Sequence, residues 1–210
     1  GTLLFKAETA TVNPAWVYGD PSTYYLPSTQ GAVTVNAGGT LGGNGSLMAE
    51  VTVAADAVLA PGDADTGIFT LGGLTLEPGS ETVFEIGGTA PGEGTGFHDQ
   101  VIVGDPFGLG LSGTLALGGT LTLEFVDSFK PEVGDYFVLF EYDSLDPAHG
   151  AFDAIAFPQG FVGGFALDYG TGTDSQVVLT AVPEPATATL LLAALAAFCL
   201  WLFQRRRRVA

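Results

Sequence analysis

Gly73-Leu-Thr-Leu-Glu-Pro-Gly-Ser-Glu-Thr-Val-Phe-Glu-Ile86 decides the fold class. It holds two short runs in which apolar and polar residues alternate, joined by a Pro-Gly turn. Alternation puts successive side chains on opposite faces of a strand, and Thr, Val and Ile fit a pleated surface well. Proline fixes φ and glycine takes the turn conformations that other residues resist. Runs of this kind recur along the chain at Gly31-Ala-Val-Thr-Val35, Val51-Thr-Val53, Gln100-Val-Ile-Val103, Gly119-Thr-Leu-Thr-Leu123 and Tyr136-Phe-Val-Leu-Phe140. Gly-Gly, Pro-Gly and Asn-Gly pairs are read as the turns between them. No amphipathic helical run of ten residues occurs before the C-terminal tail, so the class is all-β.

Outward from that stretch, the unit repeats. Gly38-Gly-Thr-Leu41, Gly72-Gly-Leu-Thr-Leu76, Ser112-Gly-Thr-Leu-Ala-Leu117 and Gly118-Gly-Thr-Leu-Thr-Leu123 are loose copies of one strand-and-corner phrase. Imperfect repetition of one supersecondary unit points to a solenoid, in which each turn stacks on the one before. The expected architecture is a parallel β-coil within residues 31–181. Leu41, Val53, Leu76, Ile86, Val103, Leu115 and Leu123 would point inward. An antiparallel sandwich is the alternative, with hairpin turns between its strands.

A family resemblance supports the coil. Gly39-Thr-Leu-Gly-Gly-Asn-Gly-Ser-Leu47, Val51-Thr-Val53 and Val58-Leu-Ala-Pro-Gly62 together resemble the autotransporter-associated β-strand repeat. Leu74-Thr-Leu76, Phe84-Glu-Ile86, Asp99-Gln-Val-Ile-Val103 and Gly113-Thr-Leu115 continue the likeness. It implies that the repeats, residues 31–125, form a right-handed parallel β-helix of the passenger type. An autotransporter ends in a membrane β-barrel, whereas this chain ends in an apolar run and arginines, so self-translocation is not implied.

Residues 126–181, rich in aromatics from Phe125 to Phe165, are expected to cap the coil and shield its strand edges. Residues 1–30 are less regular. They carry Trp16, Tyr18, Tyr24 and Tyr25 and read as an earlier rung of a longer chain. An aromatic sugar-binding platform is the sharper alternative for that segment. Gly1 is followed by no signal segment, so the natural chain is expected to begin upstream.

Residues 187–203, Thr-Ala-Thr-Leu-Leu-Leu-Ala-Ala-Leu-Ala-Ala-Phe-Cys-Leu-Trp-Leu-Phe, carry no charge. As one transmembrane α-helix they span about 25 Å, slightly short of a typical hydrocarbon core. Arg205, Arg206, Arg207 and Arg208 follow as a membrane stop, and the positive-inside rule puts them in the cytoplasm. Val182-Pro183-Glu184-Pro185 precedes the run. Its alternate prolines cannot continue a strand ladder and leave an extended, accessible backbone. This three-part arrangement over 182–208 resembles the PEP-CTERM sorting signal of Gram-negative bacteria. The resemblance implies recognition by an exosortase, a membrane-embedded protease, with loss of the helix and release or re-attachment of the ectodomain. Exopolysaccharide is a further partner implied by the family alone.

The charge is lopsided. The 210 residues carry a net charge of −17, with 23 acids against six basic residues. Residues 1–181 hold every acid but Glu184 and two lysines, Lys6 and Lys130. Phosphate binding needs a basic surface, so nucleic acid is excluded as a partner. Cys199 is the only cysteine, so no intrachain disulfide can form.

Motifs of catalysis are lacking. His98 and His149 lie far apart in Gly/Asp/Pro-rich loops, without the paired His or Cys spacing of a zinc site. No Gly-x-Ser-x-Gly elbow occurs. Asp63-Ala-Asp65-Thr-Gly67 begins like a calcium loop, but Leu74 stands where an EF-hand needs Glu, so it reads as a polar turn. Gly42-Gly-Asn-Gly45 reads as a corner, since no Lys and no helix follow it. The expectation is a non-enzymatic exported surface or matrix protein, structural or adhesive, with no catalytic residue, metal or cofactor. The rivals are a carbohydrate-active β-helix enzyme with its catalytic part upstream, and a glycan-binding module.

Overall fold

A computed structural model describes residues 2–5, 32–63, 65–106, 108–158, 163–170 and 175–183. The described residues contain fifteen strands and no helix. Along the chain, β1 (Thr2–Phe5) lies in a first sheet and β2 (Ala32–Val35) in a second. β3 (Thr40–Gly43) and β4 (Ser46–Val53) repeat that step, as do β5 (Val58–Pro61) and β6 (Ile68–Leu76), then β7 (Glu81–Ile86) and β8 (Gln100–Val103). β9 (Thr114–Leu117) joins the second sheet and β10 (Thr120–Phe125) the first. β11 (Tyr136–Tyr142) and β12 (Ser144–Gly150) are again in the second, and β13 (Ala154–Ala156) is in the first. β14 (Gly164–Asp168) and β15 (Gln176–Val182) complete the second sheet.

Every pairing in the first sheet is parallel, in the order β1-β3-β5-β7-β10-β13. The second sheet is mixed. Its pairs are parallel from β2 through β4 and β6 to β8, β9, β11 and β12, but β15 is antiparallel to both β11 and β14. Parallel neighbours need a crossover, and here the crossover of one sheet is the strand of the other. Parallel pairing continues past residue 125, through β11, β12 and β13.

The register aligns like residues. Val33, Val51, Leu74 and Leu115 are successive Cα partners, and so are Val35, Val53 and Leu76. In the first sheet Leu41, Leu59, Thr82 and Leu121 form one such row. The core fills the space between the sheets with Leu, Val and Phe. Leu41, Val53, Leu76, Ile86, Val103, Leu115 and Leu123 are all buried, as the alternation requires. Burying each such side chain is worth roughly 1.5–3 kcal/mol.

Two turn assignments need correction. Gly72-Gly73 lies inside β6 rather than at a turn, and Gly42-Gly43 lies inside β3, leaving Asn44-Gly45 as the bend. The reason is space. A Cβ on Gly72 would meet the Leu111 side chain, and one on Gly73 would meet the Glu50 carboxylate. A Cβ on Gly42 would meet the Ala60 carbonyl. At Gly72-Gly73 the edge of β6 also changes partner, from β8 beside Ile68–Leu71 to β9 beside Leu74 and Thr75.

Candidate functional site

β15 carries the chain toward the sorting segment, and its sequence explains its hold. Gln176-Val-Val-Leu-Thr-Ala-Val182 alternates, with Val177, Leu179 and Ala181 buried and their neighbours half-exposed. The strand lies between β11 and β14, so both of its edges are paired. Ala181 donates its N–H to the Asp135 carbonyl at 2.8 Å and accepts from the Gly134 N–H at 2.9 Å. Val182 is the register partner of Gly164. The ladder runs to Val182, one residue past the expected end of the cap at residue 181. Pro183 then follows, exposed, and it has no N–H to continue the ladder. Val182 is therefore part of the sheet and Pro183 is the first residue outside it. Glu184, Pro185, the apolar run 187–203 and Arg205, Arg206, Arg207 and Arg208 lie outside the described residues.

An aromatic cluster packs beneath this exit. The Phe165 ring lies 6.4 Å from Phe137 and 6.1 Å from Phe125, and Phe129 meets Phe137 edge-on at 6.1 Å. Phe157 stacks on Phe165 at 5.7 Å. Such contacts add about 0.5–1.5 kcal/mol each beyond area burial.

His98 and Asp99 form a polar centre nearby, and both are fully buried. Asp99 accepts the Gly67 N–H on Oδ1 and the Glu85 N–H on Oδ2, each at 2.7 Å. Burial pushes its carboxyl up to about 8, outweighing the two N–H bonds that favour the ionised form. Those bonds tie the turn before β6 to β7, so the carboxyl links the two sheets. The His98 Nδ1 lies 3.1 Å from the Gly88 carbonyl, and the ring meets Phe137 edge-on at 5.6 Å. Burial pulls its pKa below the ordinary value. His149 is exposed and lies 3.1 Å from Asp146, so the two histidines serve different surroundings. Sequence reasoning missed the Asp99 centre, since nothing in its local sequence sets this acid apart from the others.

The remaining acids hold loops. Asp105 accepts the N–H groups of Leu109, Gly110 and Leu111, which lowers its pKa. Asp143 takes the Asp105 N–H at 3.1 Å beside an open groove of about 570 Å³. Glu50 receives the N–H and hydroxyl of Ser112. In the Asp63–Gly67 turn, Asp65 accepts the Thr66 N–H. Among the described residues no three His, Cys, Asp or Glu side chains come together closely enough to hold a metal ion.

Comparison with known proteins bears on the chain's end. Residues 181–208 match the PEP-CTERM protein-sorting motif. The motif marks a substrate of exosortase, a membrane protease, and with it an exported protein carrying a C-terminal sorting signal. No curated protein matches the chain. The matched segment overlaps β15 at Ala181 and Val182.

Proposed function

We propose that this is a non-enzymatic surface or extracellular-matrix protein with a structural or adhesive role. A right-handed β-helix of autotransporter-associated repeats is displayed outside the cytoplasm, and an exosortase trims its tail after export. The motif match at residues 181–208 carries this reading. The β-helix is supported by the alternation of strands β1 to β8 between two sheets and by parallel rows such as Val35, Val53 and Leu76. The non-enzymatic role is supported by Asp99 and Asp105, whose carboxyl oxygens accept backbone N–H groups. Residues 187–203 act as the membrane helix, with Arg205 to Arg208 on the cytoplasmic side. Exopolysaccharide is the proposed matrix partner.

Processing uses the backbone that the sheet leaves unpaired. Alternate prolines would hold Pro183-Glu184-Pro185 extended, and the Glu184 charge would stay in water at the membrane surface. Mass spectrometry of the mature protein in its native host tests this. The wild type is expected to lack residues from about Thr187 onward. Replacing Pro183, Glu184 and Pro185 together with Ala is expected to leave insertion intact and hold the uncut form in the membrane fraction. A mature protein that keeps its tail in both forms would reduce the segment to a linker.

A further inference from the structure

We infer that the loop before β11 is a membrane-contact surface, with Val133 and Tyr136 resting in the lipid headgroup layer beside the inserted tail. The inference rests on the reading of residues 187–203 as a membrane helix.

The first observation is where the apolar surface lies. The exposed large hydrophobic residues among the described residues are Val133 (68% exposed), Tyr136 (61%), Phe157 and Phe97. A large side chain in water is common singly, but a group of them at one place marks an interaction surface. Val133 and Tyr136, the most exposed two, lie beside the exit of β15. Tyr136 is the register partner of Thr180. Gly134, next to Val133, donates its N–H to Ala181.

The second observation is reach. Val182 is fixed in the ladder, and five residue steps separate it from Thr187, where the uncharged run begins. Fully extended, they span at most about 18 Å. The end of β15 is therefore leashed close to the bilayer, and the loop bonded to Ala181 is held near it, together with the start of β14. Tyrosine suits that layer, with an apolar ring and a polar tip. Lys130, the one Lys or Arg among the described residues, is exposed on the same loop. Glu132 and Asp135 offset its charge, so the contact is apolar and needs no anionic lipid.

Site-specific probes in reconstituted full-length protein test the proposal. Cys199→Ala removes the native thiol. Val133→Cys then carries an environment-sensitive fluorophore in phosphatidylcholine vesicles, and Ala55→Cys carries it in a second sample. Ala55 is exposed in the turn that follows β4, at the opposite end of the second-sheet strands from the β15 exit. Lipid-borne nitroxides are expected to quench the probe at 133 several-fold more than the probe at 55, with a blue-shifted emission at 133 only. Protein that floats with the vesicles while both probes stay equally wet would overturn the contact surface and leave the tail assignment standing. Protein that fails to float would overturn the tail assignment and the contact with it.

Discussion

Asp99 and His98 are neighbours in sequence, and burial shifts their protonation in ways that oppose each other in stability. Asp99 has its pKa raised from 3.8 to about 8, so the folded chain holds a proton that the unfolded chain has released. Its contribution is full below pH 3.8 and is lost as pH rises through about 8. His98 is depressed from 6.5, so its contribution is present above pH 6.5 and is lost as pH falls below that. Each group alone gives a slope of about 1.4 kcal/mol per pH unit inside its window. Between pH 6.5 and 8 the His98 effect is past, and stability falls as pH rises through the Asp99 window. Below 6.5 the two groups oppose each other. Glu85, also raised by burial and then by Glu124, Asp65 and Asp127, adds to the Asp99 trend. Denaturant midpoints are therefore expected to decline as pH rises from 6.5 to about 8. Asp99→Asn should start lower, because its amide would face the Glu85 N–H, and should lose most of the decline. An unchanged slope in that variant would assign the decline to another group.

Legibility at this scale followed chemistry with a sequence period. Leu76 and Leu123 were readable as inward because alternation has a period of two. Asp99 was not, because its burial depends on Gly67 and Glu85, which come from other rungs. Gly72-Gly73 misled for a related reason. Glycine marks either a turn or a close approach of other atoms, and only the neighbours, Leu111 and Glu50, tell which.

Among the elements, β8 was read with its observed bounds, and β7, β10 and β11 to within a residue or two. β12 was not foreseen. Ser-Leu-Asp-Pro-Ala-His-Gly has no alternation, and Pro147 argues against a strand. It is an edge strand, paired only with β9, and its register breaks between Leu145 and Gly150, so the ladder does not need the missing N–H. The central strands allow a sharper test. Leu76 lies in the second sheet and Leu123 in the first, both buried in the shared core. Leu76→Ala and Leu123→Ala are each expected to cost about 2–5 kcal/mol, the sum of lost burial and the cavity left behind. Urea denaturation checks this. A change near zero for either would mean that the row does not pack inward as described. The sorting segment was legible to within one residue, since its prolines stop a ladder by covalent chemistry alone.

At the scale of the whole molecule, the acid excess of residues 1–181 favours a solvated surface. The order in which the chain leaves the cell is set by the place of β15. β14 has one described partner, and that partner is β15. A secreted chain emerges N-terminus first, so Gly164–Asp168 waits unpaired outside until Gln176–Val182 has followed. Only a few residues later the uncharged run arrives at the membrane. Completion of the sheet and arrival of the tail are thus nearly one event in time, and on the proposed reading a protease acting at Pro183–Pro185 would meet a domain that has just closed. A secreted chain stopped after Ser175 is expected to be clipped rapidly by added protease at residues 159–175, while a chain stopped after Pro183 resists. Equal resistance of the two would show that the last strand closes nothing.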